Sequence, residues 1–254
     1  MNFLTQMLHL LGSGAVAYIS ARSLRDVQTR PNTLAGLQLA ESGSVPFLEA
    51  LRDRAQAEGD DWLAERLDRH ASDEHRHGQI FAHALKQLNQ QVIDLKQISP
   101  TTPEGMPDQR RRSPFFDAYF ADYSQADLKP AAIDWVVFMS STYILELDAS
   151  KDFARMASVL PEDDQKSANL KKGMLSIAQD ETGHAAYLKE AMARRLPTAE
   201  MEAAIDHWRS QKVNAMLAMV TNLIQTGGKL PSLTQAETPG TAPEPQATIA
   251  MSSR

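Results

Sequence analysis

The chain has 254 residues, of which 43% are hydrophobic, 23% charged and 6% aromatic, and its formal charge is −6. That length can bury a substantial core in one enlarged domain, and the acidic balance argues against a protein that binds a phosphate backbone. The chain has no cysteine, which excludes disulfides, thiolate-held zinc and iron–sulfur clusters.

No strand-like alternation of useful length interrupts the helical periodicity, so the expected class is all-α. Residues 3–19 are apolar, and Ala15, Val16 and Ala17 resemble a signal-peptide cleavage site. The run lacks a basic start and is broken by Gln6, His9, Gly12 and Gly14. It is read as an extra N-terminal helix laid on the core, with a secretion signal or membrane contact as the less favoured alternatives.

Pro31, Asn32 and Thr33 then open a helical stripe of Leu34, Leu37, Glu41, Val45, Leu48 and Ala55. Pro46, beside Gly43 and Ser44, predicts an irregular turn over 43–46 because it removes an interior helical hydrogen bond. A turn at 58–61 leads to a second stripe of Leu63, Leu67, Ala71, Glu74, His77, Phe81, Ala84 and Leu88. So short a connection makes the two helices antiparallel.

From 96 to 129 the periodicity fails, with Pro100, Pro103, Pro107 and Pro114 punctuating a stretch long enough for a crossover. It carries a local basic spot at Arg110, Arg111 and Arg112, and an aromatic cluster around Phe115, Phe116, Tyr119 and Phe120 that suits a short covering helix. A third stripe follows with Trp135, Met139, Tyr143, Glu146, Phe153 and Met156, then a fourth with Met174, Ile177, Ala178, Glu181, His184, Leu188 and Met192. Beyond Pro197, Met201, Ile205, Trp208 and Met216 mark a fifth helix closing on the others. The domain is therefore drawn at 1–229 with its functional core at 33–195, and the Pro-, Thr- and Ser-rich residues 230–254 are expected to be a disordered tail.

Two copies of one signature organise the chain: Asp73-Glu74-His75-Arg76-His77 and Asp180-Glu181-Thr182-Gly183-His184, each Asp-Glu-x-x-His. On a helix, Glu and His three positions apart differ by roughly 60° around the axis and about 4.5 Å along it, so both reach one ion. Each copy lies on the apolar stripe of its helix, where an unpaired carboxylate is costly. Each also has a Glu at matching depth on the preceding helix. Glu41 and Glu74 fall roughly 27 and 21 Å from the first turn, and Glu146 and Glu181 match in the same way around the second. Glu49, nearer the turn, ranks below Glu41. Four Glu and two neutral His balance the charge of two divalent ions. His70, His75 and His83 are read as surface or packing residues.

With these residues in view, the chain resembles the ferritin-like di-iron carboxylate superfamily over 33–195. The resemblance implies a four-helix bundle with a crossover connection and extra N- and C-terminal helices. It implies two iron ions, with manganese an alternative, held by Glu41, Glu74, His77, Glu146, Glu181 and His184, with Glu74 and Glu181 tending to bridge. Asp73 and Asp180 would accept from the ring nitrogens that face away from the metal.

The segment 34–77 is similar to rubrerythrin, but Tyr143 stands where rubrerythrins carry an additional Glu. Phe81 stands where the ribonucleotide reductases carry their radical tyrosine. Ferritins proper lack the long connection, whereas aldehyde-deformylating oxygenases and bacterial tRNA-modifying hydroxylases share the six-ligand arrangement. The expected activity is oxygen-dependent oxidation of a small organic substrate, with an external electron donor. Tyr143 is its candidate catalytic proton or electron donor, and a rubrerythrin-like ferroxidase or peroxidase is the alternative. A cytoplasmic setting, a homodimer and no nucleic-acid partner complete the expectations.

Overall fold

The computed structural model describes residues 3–95, 113–228 and 230–237, and among them helices dominate. The helices are α1 (Phe3–Arg25), α2 (Arg30–Ala57), α3 (Asp61–Lys86), α4 (Pro114–Tyr119), α5 (Trp135–Ser158), α6 (Gln165–Ala193) and α7 (Thr198–Gln225). Two short strands, β1 (Gln90–Val92) and β2 (Thr234–Ala236), pair antiparallel. The all-α expectation therefore holds for the described chain.

Local chemistry sets the helix starts. Asp60, Asp134 and Asp164 each accept hydrogen bonds from backbone N–H groups in the first turn of α3, α5 and α6, satisfying donors that the helix cannot. Gly59, at φ +82°, allows the reversal between α2 and α3. Helix α2 continues without a break through Pro46, so the irregular turn expected over 43–46 does not form. The Ser44 hydroxyl donates to the Glu41 carbonyl at 2.6 Å within the same turn.

Helices α2 and α3 form one hairpin and α5 and α6 another. Three side-chain links define how they run. The Trp135 indole donates to Glu58 at 2.7 Å, which puts the start of α5 beside the α2–α3 turn. Lys166 donates to the Gln87 carbonyl at 2.9 Å, and Arg195 pairs with Asp60. Helix α6 therefore starts at the end of α3 and finishes at its beginning. The chain between α3 and α5 must travel the length of the hairpins, which is the expected crossover. Its residues 96–112, with the arginine triplet, lie outside the described residues.

The apolar core is continuous with this arrangement. One cluster gathers Leu51, Leu63, Leu67, Phe138, Met139, Ile144 and Leu188, and another gathers Leu34, Phe81, Phe153, Met174 and Ile177. The aromatic segment forms α4 as expected. Tyr119 is fully buried, donates to the Ser141 carbonyl at 2.9 Å and packs on Trp208 of α7. Helix α1 packs against α5 and α7 through Ala17, Ala21 and a buried polar junction where His9, Ser13 and Lys212 meet Asp148. Among the described residues no helix is long and apolar enough to cross a membrane.

The tail departs from expectation where it can be seen. Thr234–Ala236 forms β2 on β1, Asn32 donates to the Pro231 carbonyl and accepts from the Leu233 N–H, and Leu233 packs against the second core cluster. A β-compatible Leu-Thr-Gln stretch finds a partner in Gln90–Val92, a signal that composition alone hides. Residues 238–254 lie outside the described residues.

Candidate metal centre

Helices α2, α3, α5 and α6 each bring at least one carboxylate to the middle of the protein. Glu41, Glu74, His77, Glu181 and His184 are buried, and the Glu146 side chain keeps 13% exposure. All six residues expected from the sequence meet there. Glu49, the competing candidate on α2, is exposed. The ligand-capable atoms fall into two groups, each within 4.8 Å: Glu41, Glu74, His77 and Glu181 in one, and His70, Glu74, Glu146 and His184 in the other. Glu74 belongs to both, as a bridging carboxylate would.

The distances suit metal coordination. Two ligand atoms each about 2.1 Å from one ion lie about 3.0 Å apart at a right angle and about 3.4 Å apart at the tetrahedral angle. His77 Nδ1 lies 3.3 Å from Glu41, 3.3 Å from Glu181 and 3.7 Å from Glu74. His184 Nδ1 lies 3.1 Å from Glu181, 3.7 Å from Glu74 and 3.9 Å from Glu146. The Glu181 oxygens thus face both imidazoles. Four carboxylates with neutral histidines offset two divalent charges, so the residues present fit a metal pair.

The other ring nitrogens point to acids on the opposite hairpin. His77 Nε2 lies 3.3 Å from Asp180, and His184 Nε2 lies 3.4 Å from Asp73. Arg76 donates to both acids, at 2.6 Å to Asp180 and 3.1 Å to Asp73. The exchange follows from the duplicated signature, because each Asp directly precedes its helix's Glu and the facing helices are antiparallel. Gly78, next to His77, permits the close approach of α2, since a Cβ there would overlap the Ser42 side chain. Ser44 donates to Glu74 at 3.1 Å.

Without metal, protons take the place of cations. Burial raises the Glu41 carboxyl to about 8, and burial together with the charge of Glu146 raises Glu181 to about 9. Burial would lower both histidines, but the carboxylates around them prevail, with His77 at about 12 and His184 at about 10. Glu74 and Glu146 move the other way despite their burial: His70 and His77 donate to Glu74, and Glu146 is held down by its hydrogen bond with Glu181 and by His184 and His70.

His70 corrects the sequence reading. It is 1% exposed, with Nε2 at 3.3 Å from Glu74 and 3.4 Å from Glu146 and its ring stacked on His184. The signal was present in the spacing: His70, Glu74 and His77 share one face of α3, as positions four and three apart must. His75 and His83 are exposed, as expected. Tyr143 is buried in the first core cluster, and among the described residues no hydrogen bond to its hydroxyl is formed. Tyr187 touches the centre, its hydroxyl 2.7 Å from His70 Nδ1.

Known proteins add no closer definition. No family model matches the chain, and neither the curated proteins nor the solved structures contain a significant match.

Proposed function

We propose that the chain is a ferritin-like four-helix metalloprotein that works as a non-haem di-iron oxidoreductase, using oxygen to oxidise a small organic molecule. One observation carries this reading: two groups of carboxylate and imidazole donors, sharing Glu74, are buried together at the centre of two facing helical hairpins. Such a set suits iron or manganese by ligand type. The pair, when bound, would supply redox-active cations able to pass electrons to oxygen.

The chain's own residues hold and shield that pair. Asp73, Asp180 and Arg76 fix the orientation of His77 and His184, and the carboxylates supply the compensating charge. Helices α4 and α7 pack Tyr119 and Trp208 into the apolar core that also holds Tyr143 and Tyr187. Tyr143, one turn before Glu146 and buried, is the proposed proton donor on α5. Electrons come from another molecule, because a chain without cysteine carries no iron–sulfur cluster. A groove on the outer face of α3 and α6, lined by Arg76, Ile80, His83, Lys166 and Gly173, contains none of the donor residues and is not assigned to the substrate.

The test is stopped-flow mixing of the iron-loaded, reduced protein with oxygen or with hydrogen peroxide. Fast reaction with oxygen, and slow reaction with peroxide, is expected. Rapid peroxide turnover with sluggish oxygen reaction would replace this reading with a protective peroxidase.

A further inference from the structure

The two signatures are 107 positions apart, Asp73 answering to Asp180, Glu74 to Glu181 and His77 to His184. The same offset pairs His70 with Ile177 and Tyr187 with Ile80. One side of the centre therefore carries a hydrogen-bonded His–Tyr pair where the other carries two isoleucines. Ile177 is fully buried and apolar, so the duplicated plan places no donor there.

We propose that His70, oriented by Tyr187, is a seventh protein ligand that gives one metal position two imidazoles and makes the two positions chemically unequal. The inference rests on the dinuclear reading above and adds a residue and an asymmetry to it. His70 Nε2, Glu74, Glu146 and His184 present their ligand atoms within 4.8 Å of one another, and His70 lies 3.3 and 3.4 Å from the two carboxylates. Those are the separations of donors around one ion. Its ring stacks on His184 with centroids 3.8 Å apart, so both imidazoles approach the same point from neighbouring directions.

Tyr187 settles which nitrogen is free. When Nε2 binds a metal it carries no proton, the proton sits on Nδ1, and Nδ1–H donates to the Tyr187 hydroxyl oxygen 2.7 Å away. The other position, built from Glu41, Glu74, His77 and Glu181, has one imidazole and three carboxylates. Nitrogen-rich sets favour the later divalent ions more strongly than carboxylate sets do. The His70 position is accordingly the one that fills first with cobalt or zinc, and the Glu41 position the one that fills second.

The experiment titrates the metal-free, full-length protein with Co²⁺, following bound metal by equilibrium dialysis and coordination by the visible absorption of the cobalt. Wild type is expected to take up two ions in two resolved steps. His70→Gln is expected to lose the first step, with affinity there reduced about 100-fold or more, while the second is retained. Tyr187→Phe, which keeps the ring, is expected to weaken the first step by about 10-fold and to shift its absorption. Circular dichroism checks that both variants fold, and Tyr187→Phe carries the test if His70→Gln does not. Two ions bound by both variants with wild-type affinities and spectra would overturn the proposal and leave the dinuclear reading standing. A wild-type protein that binds no pair of ions would overturn both.

Discussion

Asp180 on α6 lies 3.3 Å from Nε2 of His77 on α3, and Asp73 returns the same contact to His184 at 3.4 Å. Each hairpin thus orients the imidazole of the other, and Arg76 braces the two acids together. Asp73→Ala and Asp180→Ala should each weaken metal retention by about 10- to 100-fold, the usual effect of removing the partner of a ligand imidazole. Competition with a chromophoric chelator measures it. Unchanged retention in both variants would return these residues to ordinary surface acids.

Metal uptake should release protons. Near neutral pH the metal-free centre keeps Glu41 (about 8), Glu181 (about 9), His184 (about 10) and His77 (about 12) protonated. Binding two divalent ions should therefore expel about four protons, and affinity should rise with pH. Calorimetry in buffers of different ionisation enthalpy counts them.

The metal-free protein has the opposite pH dependence. Glu41 and Glu181 have folded-state values above the ordinary 4.5, so the native state binds more protons than the unfolded chain. Their contribution is complete below 4.5 and is lost as pH rises toward about 8 and 9. The raised histidines contribute in the same sense, from the ordinary 6.5 up to about 10 and 12. Thermal melts should show the metal-free protein losing stability from mild acid to alkali, and the metal-loaded protein resisting that loss.

A second buried ionic junction joins α1, α5 and α7. Burial alone would raise the Asp148 carboxyl, but His9 and Lys212 hold it well below the usual carboxylate range. Asp148→Asn removes the carboxylate that pairs with buried Lys212 at 2.7 Å, leaving it only the more distant charge of Asp152, and should cost up to about 3–5 kcal/mol in urea denaturation. Because the folded-state value is depressed, the stability from this group is present above the ordinary carboxylate value and disappears as pH falls below it. Adding Lys212→Met to Asp148→Asn should recover much of the loss.

Phe81, where a radical tyrosine was considered from the sequence, is a packing residue. It is fully buried and stacks on Phe153 at 5.9 Å. Phe81→Ala should cost about 3–5 kcal/mol through the cavity it leaves, with metal stoichiometry unchanged. Denaturation and metal analysis of the same preparation check both halves.

The sequence disclosed the donor set because its pattern is periodic and doubled. Glu and His three apart on an apolar stripe, with a second Glu at equal depth across a short turn, leave few places for those side chains except the interior, and all six arrive there. His70 was missed because its counterpart is Ile177: a reading tuned to the repeat discards whatever the repeat does not contain. Tyr187 was hidden likewise, since one turn of α6 looks like any amphipathic turn until α3 is laid against it. The strand at Thr234–Ala236 depends on pairing with a segment more than a hundred residues earlier, which local composition does not register. Pro46 shows the reverse error, a local rule overruled by a helix held on both sides of it by the packing of Leu34, Leu48 and Leu51.

The reciprocal Asp–His contacts also bear on the order in which the protein folds. They join residues 103 and 111 positions apart, and the Arg76–Asp180 brace spans 104. Closing loops of that size carries an entropic cost that hairpins with short turns avoid, so α2–α3 and α5–α6 are expected to assemble before the centre between them. The oriented imidazoles then appear only when the halves have docked. In that sequence of events, metals bound there would arrive late and lock a finished architecture, and would not be the nucleus around which the chain collapses.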